Sequence, residues 1–331
     1  MQPFKAMHFL TGEELSQDEL KALILNAEVL RQQRDARPQQ ILTGKTLALI
    51  FDKPSLRTRV SFTVGIQELG GQVMELLGSQ KKTEEPEDSI RVLQGMLHGV
   101  MVRTFDHSQL DRMASQATIP IINGLSDSHH PCQAIADLLT MYQRFGHLQG
   151  LKLAYIGDGN NVLHSLLLLA PFIGVDVHYS CPKGYQPDPV IVARAKVRAT
   201  KGKAKMKSFK TPQEAVQGVH AVYTDVWTSM GQEKENEARL KAFKGYQINK
   251  KLLSLADPTA IVLHCLPMNK GQEITAEIVE HPRAALFQQA ENRLHAQKAL
   301  MVGLFQSAMI KSVSKSAVKK NSKKLEYTHV S

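Results

Sequence analysis

The chain of 331 residues is too long for one ordinary domain, so two are expected. Hydrophobic residues make up 43% and charged residues 22%, an ordinary soluble balance, and the longest apolar run, residues 163–171, falls well short of the roughly eighteen a membrane span needs. Half of the +10 net charge sits in residues 311–331, with six Lys against one Glu. Neither this tail nor the basic run 201–207 carries the interleaved aromatics of a nucleic-acid platform. No nucleic-acid or membrane partner is therefore expected.

Residues 16–33 place Leu20, Leu23, Ile24, Ala27 and Leu30 at helical spacing behind Ser16 as a cap. Leu47-Ala48-Leu49-Ile50 reads as a buried strand. Pro54 and Ser55 then signal a helix start, with Ser55 as N-cap and Leu56, Arg57 and Thr58 in the first turn. A helix start offers unpaired N–H groups and the positive end of a dipole; two hydroxyls and two guanidiniums added there suit a phosphate. That helix ends at Gly70-Gly71, and Val73–Leu76 forms a short strand. Residues 78–88 read as a loop, with Asp88 capping a helix through Leu97.

The next strand, residues 99–104, contains Arg103 near its end. Residues 108–117 are helical and 118–123 form a strand. After it comes a polar stretch ending in His129-His130-Pro131-Cys132-Gln133, where Pro131 opens a helix to Phe145. Residues 146–150 read as a hinge.

The second half repeats the plan. Strands are expected at 151–156, 175–179, 219–224 and 260–263, with helices ending near Phe172 and Ala199 and at 235–243 and 249–255. A last helix spans Asn292 to Met309, and the Ser/Lys-rich tail reads as disordered. The loop Gly157-Asp158-Gly159-Asn160-Asn161-Val162 begins like a dinucleotide fingerprint but has Val162 where the third glycine belongs. Cys132, Cys181 and Cys265 are odd in number and widely spaced, which fits a reducing cytosol better than a disulfide framework or zinc cluster. The N-terminal residues lack an apolar signal core, so a cytoplasmic location is expected.

Alternating strands and helices imply an α/β fold of two doubly wound domains, each a mostly parallel sheet flanked by helices. Ligands in such sheets bind beyond the carboxyl ends of the strands. Ser55/Arg57/Thr58, Arg103, His130/Gln133, Asn161, Asp225/Ser229 and His264/Cys265 all follow apolar runs, so one interdomain cleft is expected to collect them. The arginines fit a phosphate leaving group. His130 and Gln133 suit a carbonyl and an amide-like group, and Asp225 and Asn161 an α-amino and an α-carboxylate group. By residue type Cys265 reads as a buried small group or an orienting group, since no adjacent base supports a nucleophile.

Ser55-Leu56-Arg57-Thr58-Arg59 resembles the SxRTR signature of the aspartate/ornithine carbamoyltransferases, and His130-Pro131-Cys132-Gln133 their HPxQ signature. Asp225-Val226-Trp227-Thr228-Ser229-Met230-Gly231, His264-Cys265-Leu266-Pro267, Gly159-Asn160-Asn161 and Glu291-Asn292-Arg293 resemble the ornithine branch. The resemblance implies carbamoyl transfer from carbamoyl phosphate to the side-chain amine of L-ornithine, without cofactor or metal. It implies phosphate binding by Ser55, Leu56, Arg57, Thr58 and Arg103. Arg103, His130, Gln133, Arg293 and the Cys265/Leu266 backbone would surround the carbamoyl group, and Asn161, Asp225, Ser229 and Met230 would bind ornithine. Arg57, Arg103, His130 and Cys265 form the implied catalytic set. Residues 1–145 would be the carbamoyl-phosphate domain, 146–290 the ornithine domain, 291–310 a helix returning to the first domain and 311–331 a basic tail. A homotrimer is implied, with Gln80 matching a glutamine that reaches a neighbouring subunit's phosphate; its loop departs from the family pattern. The rival readings are a sister transferase acting on putrescine or N-acetylornithine and, more remotely, an NAD-dependent dehydrogenase.

Overall fold

The computed structural model describes residues 2–34, 40–77, 84–229, 231 and 233–326, of which 77, 233 and 307–326 are described by backbone alone. Gln80 and Met230 lie outside the described residues.

The first sheet holds β1 (Thr46–Phe51), β2 (Gln72–Leu77), β3 (Gly99–Arg103) and β4 (Ile121–Leu125) in the order β2-β1-β3-β4. The second holds β5 (Lys152–Ile156), β6 (Asp176–Ser180), β7 (Met206–Ser208), β8 (Ala221–Thr224) and β9 (Ile261–His264) in the order β7-β6-β5-β8-β9. Every strand pairing is parallel. Parallel strands need a crossover, and helices supply it on both faces, which is why β3, β8 and β9 are buried end to end. Chain direction reverses across the sheet between β1 and β3 and again between β5 and β8. Those two switch points are where an open α/β sheet leaves a crevice.

The helix Pro131–Phe145 joins the halves. Its Pro131 sits in the first turn, where a missing N–H costs nothing, and Gly146 closes it in the left-handed conformation at φ 75°. It packs between the helices Asn161–Leu169 and Leu286–Glu326, so Leu138, Leu139, Leu163, Leu166, Leu300 and Met301 share one core with both sheets.

Some bounds differ from the sequence reading. The helix expected from Asp88 begins at Pro86, whose fixed φ suits a first turn. Strand β7, at the sheet edge and mostly exposed, carries no apolar run and was not expected. The final helix starts at Leu286, which is buried along with Gln289, so its first turn belongs to the core. It continues as helix to Glu326 where a disordered tail was expected, and no Gly or Pro after Gly303 interrupts it.

Candidate functional site

The anion-facing wall begins where β1 ends. Ser55 caps the helix Leu56–Glu68 by accepting from the Thr58 N–H at 3.3 Å, which points the first turn toward the end of β3. The Asp52 N–H donates to Arg103 O at 2.9 Å and fixes the two strand ends side by side. The Leu56 side chain is 74% exposed, so only its backbone is placed to serve a ligand. Arg103 and Arg293 both donate to Thr58 Oγ1, at 3.5 and 3.0 Å, and Arg293 also donates to Gln133 Oε1 at 2.9 Å.

Among the described residues, neither Arg57, Arg103 nor Arg293 has a carboxylate salt-bridge partner. Burial, followed by the charges of Arg293 and Arg57, brings Arg103 down to about 10, still cationic at neutral pH. Burial and the same cluster hold His130 well below the usual histidine range, so its ring is neutral. The His130 backbone N–H donates to Ser165 Oγ at 2.8 Å, and its buried Nδ1 has no partner among the described residues. Uncompensated buried cations call for an anion.

The opposite wall centres on Asp225, just after β8. Its Oδ2 accepts from Asn160 Nδ2 at 2.7 Å, and its Oδ1 accepts from the Val226 N–H at 2.8 Å and the Cys265 thiol at 2.9 Å. Asn160 also caps the helix Asn161–Leu169, accepting from Val162 and Leu163. Asn161 Nδ2 donates across to Ser126 O at 2.7 Å. Burial, then the Asp225 charge, pushes the Cys265 thiol far up, so it is a protonated donor and not a thiolate nucleophile.

Asp225, His264 and Cys265 each bring one potential metal-ligand atom within 4.8 Å of the others. Both His264 ring nitrogens are nevertheless engaged: Nε2 lies 3.1 Å from Glu273 Oε1, and Nδ1 accepts from the Leu266 N–H at 2.9 Å. The glycine loop after β5 has its own packing reason. A side chain at Gly159 would overlap the backbone of Gln186 and Pro187.

The two walls enclose a cavity of about 410 Å³. Ser55, Leu56, Arg57, Thr58, Arg103, His130 and Arg293 line one side, and Asn161, Asp225, Ser229, Cys265 and Leu266 the other. Residues 7–143 match the carbamoyl-P binding domain of the aspartate/ornithine carbamoyltransferases, and 149–304 match their Asp/Orn binding domain.

The chain belongs to the aspartate/ornithine carbamoyltransferase family.

It is 47% identical over 306 residues to the ornithine carbamoyltransferase of Symbiobacterium thermophilum, covering 91% of this chain and 98% of that one. The crystal structure of ornithine carbamoyltransferase from Gloeobacter violaceus superposes with a TM-score of 0.83 at 45% identity, covering 92% of this chain and all of that one. An N-acetyl-L-ornithine transcarbamylase mutant complexed with PALAO shares the fold at a TM-score of 0.81 with 28% identity, over 90% of this chain and 100% of that one.

For a carbamoyltransferase of this family, two residues expected in the cleft stand back from the cavity: His264, fully buried between Glu273 and the Leu266 N–H, and Gln133. Gln133 lies behind Arg293, with its amide turned to Asp137. Missed were the lining residues Lys53, Thr228 and Asn269 and, behind the cavity, the pair Asp137 and Gln289. Lys53 lines the cavity with its Nζ 4.1 Å from the Phe105 ring centre, and its only signal was its place in the turn after β1. Asp137 and Gln289, each wholly buried, are joined by a hydrogen bond of 2.6 Å. Asp137 carried a faint signal, a charge inside an apolar helix.

Proposed function

We propose that this carbamoyltransferase converts carbamoyl phosphate and L-ornithine to L-citrulline and phosphate. The observation that carries this reading is the charge layout of one cavity. Three arginines with no carboxylate salt-bridge partner among the described residues face a firmly held carboxylate, Asp225, across the gap between the two sheets. Carbamoyl phosphate meets the first charge and the α-ammonium of ornithine the second.

In this reading the helix start at Ser55–Thr58, with Arg57 and Arg103, takes the phosphate. Arg103, His130, Arg293 and the Cys265/Leu266 backbone surround the carbamoyl group, and Gln133 holds Arg293. Asn161, Asp225, Ser229 and, outside the described residues, Met230 hold ornithine. Residues 1–145 form the carbamoyl-phosphate domain and 146–290 the ornithine domain, and the following helix returns to the first.

The uncharged side-chain amine attacks the carbonyl carbon. The new C–N bond pushes the carbonyl electrons onto oxygen, where Arg103, Thr58 and neutral His130 donate. Collapse breaks the C–O bond, and phosphate leaves on Arg57 with the proton the amine gives up. Holding both substrates in one cavity removes the entropy of a bimolecular encounter. A lysine-like amine is mostly protonated at neutral pH, so the rate rises with pH.

Asp225 also favours ornithine over its rivals. N-acetylornithine presents a neutral amide there, and putrescine has no α-ammonium to pair with it. The enzyme is further proposed to act in the cytoplasm, in arginine metabolism, as a homotrimer; light scattering would then give three times the chain's 36.8 kDa. The deciding assay measures carbamoylation of ornithine, N-acetylornithine and putrescine side by side. Preference for either of the latter two would overturn the ornithine reading.

A further inference from the structure

One carboxylate behind the cavity touches both of its walls through amides. Asp137 lies on the helix Pro131–Phe145 and is fully buried. A single oxygen, Oδ1, accepts from Gln133 Nε2 at 2.8 Å and from Gln289 Nε2 at 2.6 Å. An amide whose NH₂ is pinned must present its carbonyl elsewhere. Gln133 Oε1 accepts from Arg293 Nη1 at 2.9 Å, and Arg293 goes on to Thr58 in the anion wall. Gln289 Oε1 accepts from the His264 N–H at 2.8 Å, where the loop carrying Cys265 and Leu266 leaves β9. Turning either amide over would set an NH₂ group against a guanidinium or a backbone N–H, donor against donor.

We propose that Asp137 is a positioning residue that orients both amides and thereby couples the anion wall to the loop after β9. It touches neither substrate. The inference rests on the transferase reading for its assay, but the amide geometry stands apart from it. Gln289 Nε2 also donates to Tyr223 Oη at 3.1 Å, but Asp137 Oδ1 is the one acceptor the two amides share, so asparagine preserves the link between them and leucine, of similar size, breaks it.

The test uses the full-length enzyme in steady state, with each substrate varied in turn. Asp137→Leu is expected to raise the KM for carbamoyl phosphate and for ornithine at least fivefold each, and Asp137→Asn to return both to within about twofold of the parent. Loss of kcat with both KM values unchanged would mark Asp137 as merely structural and overturn the proposal. Should the leucine variant not fold, Gln289→Met carries the test. It cuts only the limb to His264, whose loop carries the Cys265/Leu266 backbone of the carbamoyl site and holds Asp225 through the Cys265 thiol, so both KM values are expected to rise at least threefold. Either KM within twofold of the parent would overturn the coupling. If the parent forms no citrulline, the transferase reading fails, and the geometry is decided by a crystal structure of Asp137→Leu or Gln289→Met. The His264 N–H must then have lost its amide carbonyl; an unmoved loop would overturn the proposal.

Discussion

Arg293 donates to the Thr58 hydroxyl at 3.0 Å across 235 residues of chain. The same oxygen receives Arg103 at 3.5 Å. A hydroxyl has two acceptor sites and one proton. With two guanidiniums on its lone pairs, the Thr58 O–H must donate elsewhere, and the cavity it lines is the open direction. The last helix therefore does more than cover the first sheet: it charges the anion wall and aims a hydroxyl within it.

Arg57 is the arginine of the cavity with the least protein to hold. It lies in the first turn of its helix, and against the cost of its burial the Asp225 charge acts on it through space. Arg57→Ala should therefore lower kcat by roughly 10²–10³, the usual cost of losing one donor to a developing charge. Circular dichroism should remain that of the parent. A variant with kcat within threefold of the parent would remove Arg57 from the reaction.

Asp225 is fixed by three donors, so its charge is presented and not free to swing. Asp225→Asn keeps the shape and loses the charge. A charge-assisted hydrogen bond is worth about 1.5–3 kcal/mol, so the ornithine KM should rise roughly ten- to a hundredfold. The KM for carbamoyl phosphate should hardly move. Equal rises in both would place Asp225 in general scaffolding and not at the amine.

Much of this arrangement is legible in the sequence, and for a local reason. Pro131 and Gly146 mark both ends of their helix because each acts through its own backbone, and Ser55 and Asn160 cap theirs through bonds two or three residues away. Strands buried on both faces print as apolar runs, so the polar residue that ends each one stands out. What was hidden depends on distance. Asp137 and Gln289 are 152 residues apart, and no spacing rule brings them together. Gln133 is legible as sharing a helix-start face with His130, but its orientation is decided by Asp137 on one side and Arg293 on the other. The length of the last helix was missed for another reason. A Ser/Lys-rich segment lacks a stop signal as well as an apolar stripe, and composition alone favoured disorder.

Asp137 also sets a pH dependence. Burial pushes its carboxyl up to about 7, while Gln133, Gln289 and Tyr223 oppose the rise. An unfolded aspartate titrates near 3.9. The folded state therefore binds the proton more tightly, and the stability linked to it is complete below about pH 4 and lost as pH rises through about 7. The interval between the two values corresponds to roughly 4 kcal/mol. Asp137→Asn removes this group, so urea midpoints of parent and variant should diverge from pH 4.5 to 7.5, with the parent losing ground to the variant. Parallel curves would show that the carboxyl titrates normally.

Gly159 offers a test of what the glycine loop is for. Its N–H donates to Tyr185 O at 2.8 Å, and an added methyl would overlap the backbone of Gln186 and Pro187, which cannot rotate away as a side chain would. Overpacking of this kind typically costs about 1–3 kcal/mol. The next residue, Asn160, both caps its helix and holds Asp225, so a shift of the loop reaches the amine side of the cavity before the anion side. Gly159→Ala should lower the unfolding midpoint and raise the ornithine KM, with the carbamoyl phosphate KM near that of the parent, and NADH should change the melting of neither protein. An alanine variant as stable as the parent would leave the glycine without its packing role, and NADH protection of the parent alone would return the loop to dinucleotide binding.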